Sequence, residues 1–185
     1  MSILVTGGAR SGKSSFAERW IMENADQAVY VATAQAFDQE MKERIALHQE
    51  QRDQGGFSWQ TVEEPLRLAE LLQSWQSEER APAVLVDCLT LWLTNVILAV
   101  EGQENMELHI REAIHMLVEQ IRQYPAPLAL VTNEVGDGIV PEYALGRLFR
   151  DYAGILNQSA ARVCTQVFLV TVGIPIELKS REYRL

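Results

Sequence analysis

The sequence predicts an α/β fold in which helices cover both faces of a largely parallel β-sheet. Unbroken runs of Val, Ile and Leu alternate with longer helical patterns along the chain, which is typical of such a sheet. A glycine-rich motif at residues 7–14 follows the first run and other polar clusters follow later ones, so we expect them at one rim. With 185 residues, of which 48% are hydrophobic, the chain is expected to form one domain over residues 1–185.

The glycine-rich motif reads Gly-Gly-Ala-Arg-Ser-Gly-Lys-Ser and fits the pattern of a phosphate-binding loop, with Gly7, Gly12, Lys13 and Ser14 at its fixed positions. Backbone N–H groups and the amino end of the following helix would direct partial positive charge at a phosphate. Lys13 would reach the β- and γ-phosphates of a nucleotide, and Ser14 would bind Mg²⁺. A glycine-rich turn without a ligand is the alternative, and the strand–loop–helix context disfavours it.

The other elements follow from the spacing of apolar residues and from turn residues. Buried strands are predicted at residues 2–6, 28–33, 83–87, 128–132 and 167–172, with a short extended segment at residues 59–63. Helices are predicted at about residues 15–22, 38–52, 64–72, 88–100, 106–123 and 142–162, and Gly154 is a point where the last could break. Residues 173–179 follow the last strand and are assigned to no helix or strand, and residues 180–185 are expected to form a loose tail.

Charge and cysteine usage narrow the range of partners. The net charge is −9 and no block of Lys and Arg is present, which disfavours a nucleic-acid partner. Cys88 and Cys164 lie far apart without metal-ligand spacing, so we expect buried free thiols in a reducing cytoplasm. The chain starts directly in a strand and no apolar run approaches the ~20 residues of a membrane helix, so we expect a cytoplasmic protein without an integral membrane segment.

The strand at residues 83–87 ends in the carboxylate of Asp87. A carboxylate in this place is typical of a Walker B motif, in which it helps to hold Mg²⁺ beside the phosphate loop. The alternative is that Asp87 caps the following helix, and the presence of the phosphate loop favours the metal role. After the strand at residues 128–132, Asn133 and Glu134 could reach an active site or could merely cap a turn, and the sequence leaves both alternatives open.

His48 is the histidine with the most suggestive neighbours. Arg44 and Arg52 stand one helical turn before and after it on the helix predicted at residues 38–52, so a phosphate could be drawn to its imidazole. A neutral imidazole, with a reference pKa of ~6.5, is a competent nucleophile. The alternative is a partly buried structural histidine, which is also how we interpret His109 and His115, because they lack such neighbours.

Several blocks of the chain, taken in order, are similar to one enzyme family. They are residues 3–14, 30–34, 38–41 with Arg44, Ile45 and His48, 59–65, 86–90 with Asn95, 131–136 with 138–141, and 149–151 with Gly154, Asn157 and Gln158. The most specific block is Thr-Asn-Glu-Val-Gly followed by Gly-Ile-Val-Pro. Over almost its whole length the chain resembles the bifunctional adenosylcobinamide kinase / adenosylcobinamide-phosphate guanylyltransferase family of cobalamin biosynthesis.

The resemblance implies a RecA-like P-loop fold, a trimeric assembly and two reactions that need Mg²⁺. In the first, the γ-phosphate of a nucleoside triphosphate, ATP or GTP, goes to the hydroxyl on the aminopropanol arm of adenosylcobinamide. In the second, a histidine attacks the α-phosphate of GTP and releases pyrophosphate. The GMP–histidine then passes GMP to adenosylcobinamide phosphate, giving adenosylcobinamide-GDP.

The resemblance also assigns roles to individual positions. The family's nucleophilic histidine corresponds to His48, and Lys13 is expected to act with it in catalysis. The nucleotide contacts correspond to Gly7, Gly8, Ala9, Arg10, Ser11, Gly12, Lys13 and Ser14, to Ala32, Thr33 and Ala34, to Gln49, Glu50, Gln51 and Arg52, and to Glu63 and Asp87. Ser14 and Asp87 are the expected metal ligands.

Two other classes of protein are consistent with the phosphate loop alone. One is a small-metabolite P-loop kinase without a covalent nucleotidyl intermediate, in which His48 is structural. The other is a non-catalytic nucleotide switch or assembly module. The kinase would not become labelled covalently by GTP, and the switch would transfer nothing to a corrinoid.

Overall fold

The structure is a computed structural model that describes residues 1–34, 56–77 and 79–183. Its strands are β1 Ser2–Thr6, β2 Gln27–Ala32, β3 Ser58–Glu63, β4 Ala83–Asp87, β5 Leu128–Val131, β6 Gln166–Thr171 and β7 Ile174–Glu177. The helices of the described ranges are α1 Lys13–Asn24, α2 Leu68–Gln76, α3 Leu89–Ala99, α4 Met106–Gln123 and α5 Ala144–Val163, followed by a 3₁₀ turn at Lys179–Arg181. The helix predicted at residues 38–52 lies outside the described residues.

The strands form one seven-stranded sheet in the order β3-β2-β4-β5-β1-β6-β7. Every neighbouring pair is parallel except β6 and β7, which are antiparallel. The carboxyl ends of β1 to β6 therefore share one rim, and β4, β5 and β1 are adjacent at its centre. This confirms the predicted largely parallel α/β sheet and brings the phosphate loop, Asp87 and the segment after β5 next to one another.

Two apolar cores lie on opposite faces of the sheet because successive strand side chains point to opposite sides. In β4, Val84 and Val86 join the core that α2, α3, α4 and α5 cover, whereas Leu85 joins the core that α1 covers. All three side chains are fully buried, and burying a side chain of this size contributes about 1.5–3 kcal/mol. The unbroken apolar runs of the sequence follow from this burial on both faces. Among the described helices, none is long and apolar enough to cross a lipid bilayer.

Two expectations about the second half of the chain are wrong. Helix α5 runs without a break through Gly154. A glycine there costs only about 1 kcal/mol of helix propensity, and the burial of Tyr152, Ala153 and Leu156 beside it keeps the helix intact.

The segment after β6 is the other difference, because it forms a strand rather than a plain connection. A turn at Val172 and Gly173, both with positive φ (47° and 81°), returns the chain as β7. The carboxylate of Glu177 then accepts hydrogen bonds from the backbone N–H groups of Val167, Lys179 and Ser180. The contacts from Ser180, side chain first, lower the pKa of Glu177 to about 2. These contacts also order residues 179–181, so Ser180 and Arg181 do not belong to the loose tail predicted at residues 180–185.

Candidate functional site

A cavity of about 590 Å³ opens at the carboxyl rim, where β4, β5 and β1 end. Lys13 and Ser14 line it from the start of α1, Asp87 from the end of β4, and Asn133 and Glu134 from the segment after β5. This volume lies within the range of about 300–1,000 Å³ that is typical of small-ligand sites. The three polar clusters that the sequence placed at separate strand ends therefore border one cavity.

The phosphate loop is held in shape by close backbone packing. A Cβ atom at Gly7 would lie 2.4 Å from the carbonyl oxygen of Val170, so only glycine fits there. Gly12 has a φ of 92°, and a Cβ atom there would lie 3.3 Å from the Cα of Gly173. The N–H of Gly173 donates to the carbonyl oxygen of Ser11 at 2.9 Å. The β6–β7 turn, which the sequence did not predict, is thus the support on which the phosphate loop rests.

Lys13 and Ser14 stand at the amino end of α1 with Gly12 as the preceding N-cap. Lys13 Nζ donates to the carbonyl oxygen of Gly8 at 3.0 Å, so the ammonium group lies across the loop at the edge of the cavity. The helix amino end adds partial positive charge at the same place. The loop therefore concentrates positive potential in a chain whose net charge is −9.

Asp87 makes one contact that orients its carboxylate. The hydroxyl of Tyr30 donates to Asp87 Oδ2 at 3.1 Å, and both residues line the cavity. Asp87 is not the N-cap of α3, because Cys88 holds that position without any side-chain cap. The structure thus disfavours the helix-cap alternative. A carboxylate and the Ser14 hydroxyl bordering one cavity are oxygen donors of the kind that Mg²⁺ prefers, so these residues fit the ion.

The side chain of Thr33, which follows β2, connects to the backbone of Cys88, which follows β4. Its side chain is fully buried, and its Oγ1 donates to the carbonyl oxygen of Cys88 at 2.7 Å and accepts from the Cys88 N–H at 2.8 Å. Asn95 Nδ2 donates to the carbonyl oxygens of Thr33 and Pro65, at 2.8 and 3.0 Å. The Thr33 hydroxyl is thus already used by the backbone, whereas its neighbours Ala32 and Ala34 line the cavity.

The Cys88 thiol is buried at the floor of the cavity. Burial, followed by the negative charge of Asp87, raises the pKa of the Cys88 thiol. A thiol that stays protonated is a poor nucleophile. Cys88 therefore acts as a small apolar wall, as expected from the sequence, and Cys164 is a second buried free thiol.

Asn133 and Glu134 satisfy both alternatives that the sequence left open, because they line the cavity and also stabilise a turn. Asn133 donates from its N–H and from Nδ2 to Thr90 Oγ1, both at 2.9 Å, and its carbonyl oxygen accepts from Asn157 Nδ2 at 3.2 Å. Glu134 Oε1 accepts from the N–H of Gly136 at 2.8 Å. Neither Thr90 nor Asn157 was assigned a site role from the sequence, although Thr90 is one of three polar residues among the apolar residues of α3.

The predicted site residues differ in where they lie relative to the cavity. Those that line the cavity are Ala9, Arg10, Lys13, Ser14, Ala32, Ala34 and Asp87. Gly7, Gly8, Ser11 and Gly12 complete the phosphate loop without lining the cavity, and Thr33 is buried beneath it. Glu63 ends β3, pairs in register with Ala32, and lies outside the cavity wall. His48, Gln49, Glu50, Gln51 and Arg52 lie outside the described residues.

Comparison with known proteins agrees with this arrangement. The family model described as "Cobinamide kinase / cobinamide phosphate guanyltransferase" matches residues 3–178. A "Bifunctional adenosylcobalamin biosynthesis protein CobP" from Pseudomonas aeruginosa is 45% identical over 180 residues, which cover 97% of this chain and 98% of that protein. A "Bifunctional adenosylcobalamin biosynthesis protein CobU" from Salmonella typhimurium is 41% identical over 189 residues, which cover 97% of this chain and 100% of that protein.

A solved structure agrees with the fold. The ATPase EscN from the enteropathogenic E. coli type III secretion system aligns with a TM-score of 0.56 at 10% identity, covering 92% of this chain and 43% of EscN. At that identity the likeness concerns the fold alone, and it confirms the predicted P-loop architecture. Because the family model spans nearly the whole chain and the two curated relatives match over nearly their full length, the chain belongs to the cobinamide kinase / cobinamide phosphate guanyltransferase family.

Proposed function

We propose that this chain catalyses two successive transfers, phosphorylation of adenosylcobinamide by ATP or GTP and then transfer of GMP from GTP to adenosylcobinamide phosphate. The observation that carries the proposal is the meeting of Lys13, Ser14 and Asp87 at one cavity on the central strands. Membership of the family supports the choice of acceptor. Its relatives' names, which describe bifunctional proteins of adenosylcobalamin biosynthesis, support the presence of two activities in one chain.

In the kinase reaction, the phosphate loop and the amino end of α1 would bind the triphosphate. Lys13 would exchange its hydrogen bond with the Gly8 carbonyl for one with a phosphate oxygen. Ser14 and Asp87 would hold Mg²⁺, which neutralises charge on the phosphates when it is bound. The acceptor hydroxyl oxygen forms a bond to the γ-phosphorus as the bond to the bridging oxygen breaks, and the nucleoside diphosphate leaves. The protein's part is therefore positioning and charge neutralisation.

In the guanylyl transfer, we propose His48 as the nucleophile. A ring nitrogen forms a bond to the α-phosphorus of GTP, and the bond to the bridging oxygen breaks, so pyrophosphate leaves. A phosphate oxygen of adenosylcobinamide phosphate then displaces the imidazole and forms adenosylcobinamide-GDP. Imidazole suits both steps because a protonated phosphoramidate departs readily. Arg44 and Arg52, four positions before and after His48 in the sequence, would stabilise the charge of the transition state.

Labelling with α-labelled GTP and Mg²⁺ tests this function. We expect label that stays on the denatured parent protein, is lost in acid and survives alkali, as a phosphoramidate requires. His48→Ala should abolish the label and the guanylyl transfer, while phosphorylation of adenosylcobinamide continues. The matched control is His115→Ala, because His115 is exposed on α4, away from the cavity, and its loss should leave the label unchanged.

The outcomes separate the rival functions. Equal label on the parent and on the His48→Ala protein would contradict the nucleophile assignment. A kinase activity without any label in the parent would indicate the monofunctional small-metabolite kinase. Absence of both transfers, with an oligomeric state that follows nucleotide, would indicate the switch module.

We also propose, on the family resemblance alone, that the protein is a cytoplasmic homotrimer. Sedimentation velocity of the purified chain measures the number of copies directly. A single species with the mass of one chain at micromolar concentration would contradict the trimer.

A further inference from the structure

The cavity contains a carboxylate to which the mechanism above gives no role. Glu134 follows β5, the strand that lies between β4, which carries Asp87, and β1, which carries the phosphate loop. Its N–H donates to the carbonyl oxygen of Gly7 at 3.4 Å, so the two loops touch. Among the described residues, Asp87 and Glu134 are the acidic side chains that line the cavity.

Glu134 is held in place by the segment around it. Its Oε1 accepts from the N–H of Gly136 at 2.8 Å, and the guanidinium of Arg150 on α5 donates to the carbonyl oxygen of Gly136. The preceding residue, Asn133, is tied to Thr90 and Asn157. The second carboxylate oxygen, Oε2, has no hydrogen-bond partner within the part of the chain that the structure describes. One oxygen thus fixes the carboxylate, and the other is available to a substrate.

We propose that Glu134 is the catalytic base of the kinase reaction, a role that rests on the function proposed above. Glu134 Oε2 would accept the hydrogen bond of the acceptor hydroxyl and orient it towards the γ-phosphorus. As the oxygen–phosphorus bond forms, the hydroxyl proton passes to Oε2, and the electron pair of the broken bond leaves with the nucleoside diphosphate. The proton then passes to water after the products depart. Carboxylates have this role in other phosphoryl transfers to hydroxyl groups.

The other carboxylates near the rim either accept hydrogen bonds from other groups or lie outside the cavity. Asp87 Oδ2 accepts the hydrogen bond of Tyr30, and its place suits Mg²⁺. Glu63 ends β3, beyond β2 and outside the cavity wall. Glu64 Oε1 accepts from the N–H groups of Leu66 and Arg67, at 3.1 and 2.8 Å. Glu134 therefore combines a fixed position, a place in the cavity wall and an available oxygen.

The surface next to Glu134 suits the proposed acceptor. The segment after β5, which contains Glu134, also exposes Ile139 and Val140, with 96% and 58% of their surface accessible. Arg147 stabilises this segment by donating to the carbonyl oxygen of Pro141 at 3.1 Å. A nucleotide would take up much of the 590 Å³ cavity, so a corrin macrocycle must lie outside it. An apolar surface on the Glu134 side gives the macrocycle a contact while its hydroxyl arm enters over the carboxylate.

Glu134→Gln is the first test. Its amide oxygen can still accept the hydrogen bond from the N–H of Gly136, so the substitution removes only the negative charge and the basicity of the carboxylate. We expect kcat for phosphorylation to fall by about 10²–10⁴-fold. The KM for adenosylcobinamide and the affinity for a Mg²⁺–nucleotide analogue should stay within about threefold, since Glu134 would act in the transition state. Glu64→Gln is the matched control, because Glu64 also accepts two backbone N–H groups at the rim yet lies outside the cavity.

A second variant covers the case in which Glu134→Gln changes the loop. Glu134→Ala leaves room for added formate, which should restore part of kcat without changing nucleotide affinity. A folded Glu134→Gln protein with parental kcat would overturn the proposal. So would a loss of nucleotide affinity as large as the loss of kcat, together with an Ala variant that formate does not rescue, because that pattern indicates a structural role. A parent protein that phosphorylates no corrinoid would instead contradict the proposed function itself.

Discussion

The connections that follow β1 and β5 lie side by side at the rim, yet they are built by different means. The loop after β1 is shaped by its backbone, since a Cβ atom at Gly7 would lie 2.4 Å from the Val170 carbonyl oxygen. The segment after β5 is shaped by side chains from other helices, namely Thr90, Asn157 and Arg150. The first loop exposes N–H groups, and the second exposes Glu134 and apolar side chains.

The difference follows from what each connection would bind. The phosphates of every nucleotide are alike, so a fixed array of backbone donors suits them, and a side chain is excluded where the backbone packs closely, as at Gly7. An acceptor hydroxyl on a large organic molecule needs a base at one point and apolar contact around it, which side chains supply. We therefore expect substitution of the closely packed Gly7 in the first loop to impair nucleotide binding strongly, and substitutions in the second connection to spare it.

Gly7→Ala should have the largest effect. The new Cβ atom would lie 2.4 Å from the Val170 oxygen and 2.7 Å from Ser11 Oγ, so the loop must move. A hydrogen bond to a charged group contributes about 1.5–3 kcal/mol, and several would be displaced together, so we expect at least about a 100-fold loss of nucleotide affinity. Titration calorimetry with a Mg²⁺–nucleotide analogue measures it. Gly8→Ala is the control, because a Cβ atom there meets nothing within 4 Å. Equal losses in the two variants would argue against a loop shaped by packing.

Thr90→Val should have an intermediate effect confined to the second connection. Thr90 Oγ1 accepts two hydrogen bonds from Asn133, and its side chain is buried. Valine keeps the shape but leaves the partly buried donors of Asn133 without this partner, which costs about 1–3 kcal/mol in the free energy of unfolding. Denaturant unfolding measures that cost, and kcat should fall while nucleotide affinity stays near the parental value. A matching loss of nucleotide affinity would mean that the two connections are one cooperative unit.

Ile139→Ser should have the smallest effect and act only on the acceptor. Ile139 is 96% exposed, so its loss should hardly change stability. If it contacts the corrin macrocycle, the KM for adenosylcobinamide should rise about fivefold to tenfold, as expected for the loss of about 1–1.5 kcal/mol of apolar contact. Met116→Ser is the control, since Met116 is also exposed on α4 and lies away from the cavity. An unchanged KM together with a change in sedimentation would place Ile139 in an interface between copies of the chain.

The sequence by itself determined the elements whose cause is local. The strand, loop and helix that are predicted to bind phosphate are contiguous, and the spacing of the glycines, Lys13 and Ser14 is what identifies the motif. The apolar runs predicted the strands of a sheet buried on both faces, and Asp87 was visible as a carboxylate at a strand end. The ordered blocks of residues 131–136 and 138–141 indicated the family, which the comparisons confirm.

The tertiary structure alone decided which polar atoms meet, because those partners are distant in the chain. Tyr30 and Asp87 are separated by 57 positions, and Asn133 and Thr90 by 43, so no local pattern pairs them. Thr33 stays a predicted nucleotide contact, but only the structure shows that its buried hydroxyl bonds the carbonyl oxygen and N–H of Cys88. The β7 hairpin was missed because its residues are mostly exposed and lack the buried pattern of a strand, while its role depends on packing against Gly12. Local spacing specifies elements, whereas the hydrogen bonds that orient a site depend on how the completed sheet brings separate strand ends together.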